Sequence, residues 1–387
     1  MDINKEKLCL CALNRIFGFE PKIAIALISH LGNATNVFEL KEKDLYYLLG
    51  PHSGFKDQIS HYNLDKEGEQ LELLSHKGIR FTGCTEEDYP ELLKECDDAP
   101  VGLYIRSSSP DKELWNRHRM LSIVGTRDLS PYGREWCCRI INALGNSKEK
   151  PTIISGLAIG TDICAHRSAI DAGLPTIAVM ATGADKIYPL RHTDFAELLC
   201  NTPGCALVTD FPPGTPPLAV HFLRRNRIIA GLGEATLLIE SKLKGGGMMT
   251  ANLAFSYGRE VYAIPGRIDD ICSQGCNRLI KAKVAEAVTD ETDFLKSLRM
   301  SSGENRKKIS DKETIHILYG STMSRDRLEL LTSVLLAIRK NRGITIEELA
   351  DVIGADYTQT SHLTCLLESD GLIKIDLLQR CRINAGK

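Results

Sequence analysis

From residue 121 to about residue 288, the chain alternates between short apolar runs and longer amphipathic segments. Each apolar run is continuous and stands next to glycine, proline or serine. Continuous apolar strands separated by helices are typical of a parallel sheet that is covered on both faces. We therefore predict an α/β fold with a doubly wound, mainly parallel sheet, whose strands lie in the segments LSIVG, PTIISG, PTIAVMATG, CALVTDF, ATLLIES and EVYAIPG.

The segments on either side of this α/β core have different patterns. Apolar residues recur at helical spacing near the amino terminus, which predicts an N-terminal helical domain over residues 1–75 and a core over residues 76–298. A polar, charged stretch over residues 299–326 is typical of a linker. Residues 327–387 have the pattern of three helices followed by two short strands, which is the layout of a winged-helix domain.

The composition limits the kind of partner. A formal net charge of -2 argues against a protein that coats nucleic acid through its overall charge, so any nucleic-acid site has to be a local patch. Thirteen cysteines without a secretory signal are expected to be reduced thiols. Since no apolar run is long enough to cross a bilayer, we predict a cytoplasmic protein without a membrane partner.

Three glycine-bearing loops follow strands of the predicted sheet. Parallel sheets bind ligands beyond the carboxyl ends of their strands, where backbone N–H groups at helix N-termini attract anions. Each loop taken singly is equally compatible with a plain tight turn, but three of them on one sheet favour an anion-binding rim. The candidate residues of this rim are Gly125, Thr126 and Arg127, then Ser155, Gly156 and Gly160, then Gly245, Gly246, Gly247 and Thr250.

A cluster of basic residues stands in the apolar segment HFLRRNRIIAGLG. Arg224 and Arg227 are three residues apart and share a helix face, whereas Arg225 lies about 100° away. Asn226 adds a hydrogen-bond donor and an acceptor. Charge clusters are usually solvated surface, but this one follows the proline-rich FPPGTPPL and is embedded among apolar residues. We therefore predict that these four residues lie at the mouth of the sheet and bind phosphate.

Cofactor and catalytic motifs are not matched. The first loop lacks the G-x-G-x-x-G spacing of dinucleotide-binding proteins, and the third lacks the Lys-Ser/Thr step of a Walker loop. Asp162 and His166 stand at i and i+4 and are candidates for an acid/base pair, although a helix-capping Asp and a hydrogen-bonded His are the commoner explanation. Cys272 and Cys276 have no second Cys/His pair at zinc spacing. We predict no cofactor, no metal and no catalytic residue.

Five motifs, in chain order, resemble the DNA-processing protein A (DprA/Smf) family: SIVGTRDLSPYG, IISGLAIGTDICAHRSAIDAGLPTIAVMATGADKIYP, FPPGTPPLAVHFLRRNRIIAGL, GGGMMTANLAFSYGREVYAIPG and SQGCNRLIK. The resemblance implies a Rossmann-like core that binds single-stranded DNA without strong sequence preference. It also implies a homodimer that delivers the strand to the RecA recombinase. Finally, it implies that Arg127, Ser155 with Gly156, and the three arginines of the F-x-R-R-N-R segment contribute to a basic DNA pocket.

Two other classes of protein stay open as alternatives. Nucleotide-processing phosphoribohydrolases of the lysine-decarboxylase-like group share the general fold and carry a P-G-G-x-G-T-x-x-E signature with a catalytic Glu. Here the glycine run is followed by MMTANLAF, without Glu at the matching spacing. The other alternative is a duplex-binding regulator that acts through the winged helix. Its recognition helix carries few cations, so a protein contact and weak DNA binding are equally compatible with the pattern.

Overall fold

The structure is a computed structural model that describes residues 4–115, 119–300, 311–320, 323–341, 343–376 and 378–383. The chain forms two compact units, Met1–Ser302 and Gly303–Lys387. Within those described ranges, no helix combines the length and the apolar character that a bilayer crossing requires.

Six helices open the first unit. They are α1 (Lys5–Ile16), α2 (Pro21–Leu31), α3 (Ala34–Glu39), α4 (Glu42–Leu49), α5 (Phe55–Ser60) and α6 (Leu64–His76). Side-chain caps mark several of their starts: Asn4 accepts a hydrogen bond from the Lys7 amide, and Asn33 accepts one from the Asn36 amide. Such caps satisfy backbone N–H groups that have no partner within the helix.

One nine-stranded sheet follows. Its strands are β1 (Ile79–Gly83), β2 (Gly102–Arg106), β3 (Met120–Val124), β4 (Thr152–Ser155), β5 (Thr176–Val179), β6 (Ala206–Thr209), β7 (Ala235–Leu238), β8 (Glu260–Ala263) and β9 (Glu286–Ala287). Their order in the sheet is β1-β2-β6-β5-β4-β3-β7-β8-β9. The pairs from β6 to β9 are parallel, whereas β1 with β2 and β2 with β6 are antiparallel. The prediction of a mostly parallel α/β sheet is confirmed, and the six apolar runs form β3 to β8.

Helices cover both faces of this sheet. They are α7 (Glu91–Lys94), α8 (Asp111–Trp115), α9 (Pro131–Gly145), α10 (Thr161–Asp171), α11 (Thr193–Asn201), α12 (Ala219–Leu232), α13 (Gly246–Ser256), α14 (Gln274–Lys281) and α15 (Glu291–Ser297). Ile153 and Ile154 are neighbours on β4 and are both fully buried, the first with Ile140 of α9 and the second with Ile228 of α12. Because successive strand residues point to opposite faces, both faces need apolar side chains, which explains the continuous apolar runs.

The N-terminal helices share a hydrophobic core with the sheet. Leu10 of α1 is fully buried in one cluster with Tyr104 of β2 and Leu207 of β6. A polar contact reinforces this packing, since the Cys11 thiol lies 3.1 Å from the Tyr104 hydroxyl. The elements before and after residue 75 therefore pack as one compact unit, and the division into domains at that position stays a prediction.

The second unit contains α16 (Asp311–Tyr319), α17 (Arg325–Lys340), α18 (Ile346–Ile353), α19 (Tyr357–Ser369), and the antiparallel pair β10 (Ile373–Ile375) and β11 (Cys381–Ile383). The linker predicted over 299–326 is corrected in part, because it includes α16, while residues 301–310 lie outside the described residues. Ile315 and Tyr319, four residues apart, attach α16 to the core of this unit, and they stand at the end of a predominantly polar stretch, so the apolar signal was weak. The winged-helix assignment stays a prediction.

Replacing Leu10 by Ala is expected to destabilise the whole first unit by about 2–5 kcal/mol, because it removes a fully buried side chain at the junction of helices and sheet. Leu48→Ala is the matched control, since Leu48 is 41% exposed and its loss should cost about 0.5 kcal/mol or less. Urea unfolding followed by circular dichroism measures both. A separate early transition for the helices, with an unchanged main transition, would contradict the shared core.

Candidate functional site

A cleft lies where the direction of the chain through the sheet reverses. The chain runs from β3 outward through β4 and β5 to β6, and then returns to place β7 on the other side of β3. At such a switch point, the loops after the two adjacent strands diverge and leave a crevice at the carboxyl ends. A cleft of about 630 Å³ occupies this position. Nine of the predicted site residues line it: Gly125, Thr126, Arg127, Arg225, Asn226, Gly245, Gly246, Gly247 and Thr250.

The N-terminus of α13 forms one wall of the cleft. Gly245 is the N-cap residue, and no side chain caps the helix there. The first amides of a helix have no intrahelical acceptor and carry the positive end of the helix dipole. The Thr250 hydroxyl is engaged, since it donates to the Gly246 carbonyl at 3.1 Å. Backbone N–H groups, rather than that hydroxyl, are therefore what this wall offers to an anion.

Aromatic side chains stand beside the first loop. The guanidinium of the exposed Arg127 lies 4.9 Å from the centre of the Phe222 ring. The Tyr188 ring meets the same Phe222 ring edge to face at 5.6 Å, and Tyr188 is 45% exposed. Stacking orders the Arg127 guanidinium without occupying its hydrogen-bond donors. The cleft therefore combines a pre-oriented cation with accessible aromatic faces.

The charge of the cleft is locally positive. Two exposed lysines, Lys242 and Lys244, join Arg127 and Arg225 along its lining, against the two carboxylates Asp128 and Asp162. This balance is opposite in sign to the net charge of the whole chain. Anions are therefore attracted to this edge of the sheet and not to the molecule as a whole.

Arg225 projects from α12 into the cleft wall. Its Nη1 donates to the Val179 carbonyl at 2.5 Å, while its Nε is buried without a hydrogen-bond partner among the described residues. Burial lowers the pKa of Arg225 to about 10, although nearby Asp162 raises it, and Arg127 lowers it further. The side chain is therefore still cationic at neutral pH. A buried guanidinium beside the cleft is a positive charge that a bound phosphate would stabilise.

Arg224 and Arg227 do not line the cleft, which corrects the prediction that they join Arg225 there. Nη2 of each lies 2.6 Å from the same Oδ2 of Asp210, a carboxylate that is fully buried. The helix geometry explains the separation, because residues 224 and 227 share a face of α12 from which residue 225 is turned away. The described structure brings one of the three arginines into the cleft and uses the other two in an ion cluster.

The second predicted loop has a structural role. The Ser155 hydroxyl is buried and donates to the Ile123 carbonyl at 2.6 Å, which ties β4 to β3. A Cβ at Gly156 would lie 1.9 Å from Nη1 of Arg225, so this position has to be glycine for Arg225 to fit. Gly160 has φ +83°, and a Cβ there would lie 2.3 Å from the Thr126 carbonyl oxygen. The loop therefore supports the first loop and Arg225, and these three residues are not part of the cleft lining.

Asp162 and His166 are not arranged as an acid/base pair. Asp162 lines the cleft and accepts a hydrogen bond from the Ala158 amide at 3.3 Å. His166 is fully buried, and its Nδ1 lies 2.6 Å from the Thr176 hydroxyl. Because that hydroxyl donates to the Ile153 carbonyl, Nδ1 of His166 carries the proton. His166 thus has the hydrogen-bonding role that is commoner for such a histidine, whereas Asp162 binds the amide of a residue that precedes α10 and is not the N-cap of that helix, which is Gly160.

Sequence reasoning missed Tyr188, Phe222, Lys242 and Lys244 as lining residues. The lysines flank Leu243 immediately before the glycine run, and Phe222 stands two residues before Arg224. These three residues could have been identified, because they stand in or beside the segments from which the other site residues were predicted. Tyr188 follows β5 at the end of the second of the five quoted motifs, but outside the glycine loops and the arginine segment from which the site was predicted. In the described part of the chain, no group of three or more His, Cys, Asp or Glu side chains is placed to hold a metal ion.

The fold and the cleft place the chain among α/β proteins with a ligand crevice at the switch point of a mainly parallel sheet. The family model described as DNA recombination-mediator protein A matches residues 80–299, which is more than half of the chain. The chain belongs to this family. The description is that of a recombination mediator rather than an enzyme, so the phosphoribohydrolase alternative loses its support.

Individual relatives agree with this assignment. Protein Smf of Escherichia coli (strain K12) is 39% identical over 217 residues, which are 55% of this chain and 55% of that protein. The match thus spans about half the length of that relative. Protein Smf of Synechocystis sp. is 32% identical over 76% of this chain and 73% of its own length.

Two solved structures of the family are similar in fold. The X-ray structure of DNA processing protein A from Streptococcus pneumoniae has a TM-score of 0.65 at 29% identity, and the match covers 76% of this chain and 98% of that one. DNA processing protein A from Helicobacter pylori, described for its single-stranded DNA binding mode, has a TM-score of 0.50 at 25% identity. That match covers 57% of this chain and 95% of the other.

Gly160→Ala is expected to destabilise the fold and to disturb the cleft, because the new methyl group would meet the Thr126 carbonyl as well as force an L residue into a left-handed conformation. Gly173→Ala is the matched control, since Gly173 has φ +66° with open space around it. The control should cost about 1–2 kcal/mol and Gly160→Ala more. Equal losses in urea unfolding would contradict the close approach of the two loops.

The stability of the fold is expected to fall as the pH drops from about 6.5 to 5. Burial, with help from Arg225 and His192, lowers the pKa of His166 to about 3, so His166 stays neutral in the folded chain while it becomes protonated in the unfolded chain. The contribution of His166 to this decrease in the free energy of unfolding should approach about 1.4 kcal/mol per pH unit. Urea unfolding at several pH values measures it. The slope should be smaller in His166→Gln and unchanged in His52→Gln, an exposed control, and equal slopes in both variants would refute the assignment.

Proposed function

We propose that the cleft binds single-stranded DNA, with the phosphates on cations and helix amides and the bases on aromatic rings. The observation that carries this proposal is the Arg127 guanidinium stacked on Phe222, beside the uncapped N-terminus of α13. Alternating cations and aromatic faces are the usual means of holding a flexible single strand. Tyr188 extends the aromatic surface, and Lys244 extends the basic one.

A single strand fits this cleft better than a duplex does. Bases in a duplex are already stacked on one another, so aromatic side chains are available only to unpaired bases. The phosphate contacts carry no sequence information, and stacking is tolerant of base identity. We therefore expect little sequence preference and a strong dependence of affinity on salt, because binding releases counterions.

The relatives support a role in DNA processing. Those from Streptococcus pneumoniae and Bacillus subtilis are named DNA processing protein DprA, and the Helicobacter pylori relative is described by its single-stranded DNA binding. We propose that this chain acts on DNA in natural transformation and homologous recombination, as a homodimer that loads the RecA recombinase. Sedimentation of the purified chain tests the dimer. RecA filament formation on DNA coated with single-strand-binding protein, with and without the chain, tests the loading.

The winged-helix assignment of residues 327–387 belongs to the same proposal. Three helices, α17 to α19, precede the pair β10 and β11, in agreement with that layout. A chain that ends at residue 302, the limit of the first compact unit, tests whether the second unit is needed for DNA binding. If the cleft is the main site, this shortened chain should retain single-stranded DNA binding. Loss of binding on truncation would instead favour the second unit.

Arg127→Gln is expected to weaken single-stranded DNA binding about tenfold, or about 1.4 kcal/mol, because it removes a phosphate contact at the mouth of the cleft. The slope of log K against log salt should fall by about 0.7 for one lost contact. Fluorescence anisotropy with labelled oligonucleotides of several sequences measures both quantities.

Lys148→Gln is the matched control for this experiment. Lys148 is exposed and lies in the turn before β4, at the opposite edge of the sheet from the cleft. This control should leave both affinity and salt slope unchanged. Equal effects of the two substitutions, or tighter binding to duplex than to single strands by the parent chain, would refute the proposed site.

A further inference from the structure

A buried ion cluster lies on the side of α12 that faces away from the cleft. It consists of Asp210, Arg224 and Arg227, and we call it the Asp210 cluster. Both guanidinium groups lie 2.6 Å from Oδ2 of the carboxylate, which is fully buried, and their side chains are 11% and 7% exposed. The other oxygen, Oδ1, has no hydrogen-bond partner among the described residues. Among the described residues, the charge of this buried carboxylate is therefore compensated by these two arginines.

The cluster also connects α12 to the N-terminal helices. The Arg224 guanidinium is held between two aromatic rings, 4.7 Å from the centre of Phe19 and 4.8 Å from that of Phe211. The Asn14 side-chain amide donates to the Asp210 backbone carbonyl at 2.8 Å. Phe19 and Asn14 belong to the segment of α1 and the turn before α2. Arg224 is therefore enclosed by protein on both faces and paired at its end.

The same helix carries the cleft residues on its other side. Phe222, Arg225 and Asn226 line the cleft, whereas Arg224 and Arg227 are directed at Asp210. Arg227 additionally donates through Nη1 to the carbonyl of Asp98, in the turn after α7. Since successive residues of a helix are turned by about 100°, fixing the 224/227 face sets the direction in which Arg225 points.

We propose that Asp210 and Arg224 are positioning residues for the DNA cleft: they make no contact with DNA and hold α12 so that Arg225 and Phe222 face the strand. This inference rests on the proposed function and deepens it. It also assigns the N-terminal helices a role in binding, because Phe19 and Asn14 complete the cluster that orients the helix.

The sign of one substitution separates positioning from direct electrostatics. Asp210 is a negative charge paired with α12, the helix that also lines the cleft, and removing it raises the net positive charge of this region. If only charge mattered, Asp210→Asn would bind single-stranded DNA more tightly. If Asp210 positions α12, the same substitution leaves two adjacent guanidinium groups without their counter-ion, moves the helix and weakens binding.

The experiment uses the full-length chain and a fluorescein-labelled oligothymidylate, with anisotropy measured over a series of salt concentrations. We expect Asp210→Asn to weaken binding about three- to thirtyfold with an unchanged salt slope. Arg225→Gln is the comparison for a direct contact and should lower the slope by about 0.7. Binding by Asp210→Asn that is equal to or tighter than that of the parent chain would overturn the inference.

Arg224→Gln provides an independent test should Asp210→Asn fail to fold, as judged by circular dichroism. A positioning role predicts weaker binding with the parent's salt slope, whereas a phosphate contact predicts a lower slope. A lower slope, or full retention of affinity, overturns the inference. Failure of the parent chain to bind single strands would refute the proposed function itself. A different outcome is that the parent chain binds single strands and Asp210→Asn binds them equally well or more tightly. That result refutes the positioning role alone.

Discussion

The site depends on a crevice that the sheet topology leaves beyond the carboxyl ends of the adjacent parallel strands β3 and β7. Because the chain builds β4 to β6 on one side of β3 and β7 to β9 on the other, the connections leave the shared edge in opposite directions. No crossover helix can close that edge without reversing the handed path of the chain. The loops after β3 and β7, together with the residues of α12 that line the cleft, are therefore available for a ligand.

Three arginines within four residues of α12 have two different surroundings. Arg224 and Arg227 pair with Asp210, whereas Arg225 lies at the cleft. A buried carboxylate has to be paired, and the residues three apart on the helix reach it together. Arg225 is turned towards the carboxyl ends of β4 and β5, where the Val179 carbonyl is its one hydrogen-bond acceptor among the described residues. Of the three arginines, Arg225 therefore contributes its positive charge to the cleft, while Arg224 and Arg227 neutralise a carboxylate inside the protein.

The fold could be predicted from sequence where the pattern reflects burial on both faces. Runs such as PTIISG form strands because each side chain has a helix to pack against, and this requirement is local. The destinations of Arg224 and Arg227 could not be predicted, because Asp210 follows a different strand and its approach to α12 depends on the tertiary fold. The same holds for Tyr188, which reaches Phe222 from the loop after β5. The helix α16 resembled a linker because it follows a long polar stretch and its buried residues Ile315 and Tyr319 stand near its end.

An acidic chain can offer a basic cleft because charge acts over short distances in salt. At physiological ionic strength, exposed charges more than about 8 Å apart are largely screened, so a bound strand responds to the residues that line the cleft. Arg127, Lys242 and Lys244 are exposed there, and their field is reinforced by the first amides of α13. Acidic residues elsewhere on the surface then limit non-specific adhesion without reaching the cleft. Cations clustered at one cleft of a net-negative protein therefore favour a single defined path for a polyanion over general coating.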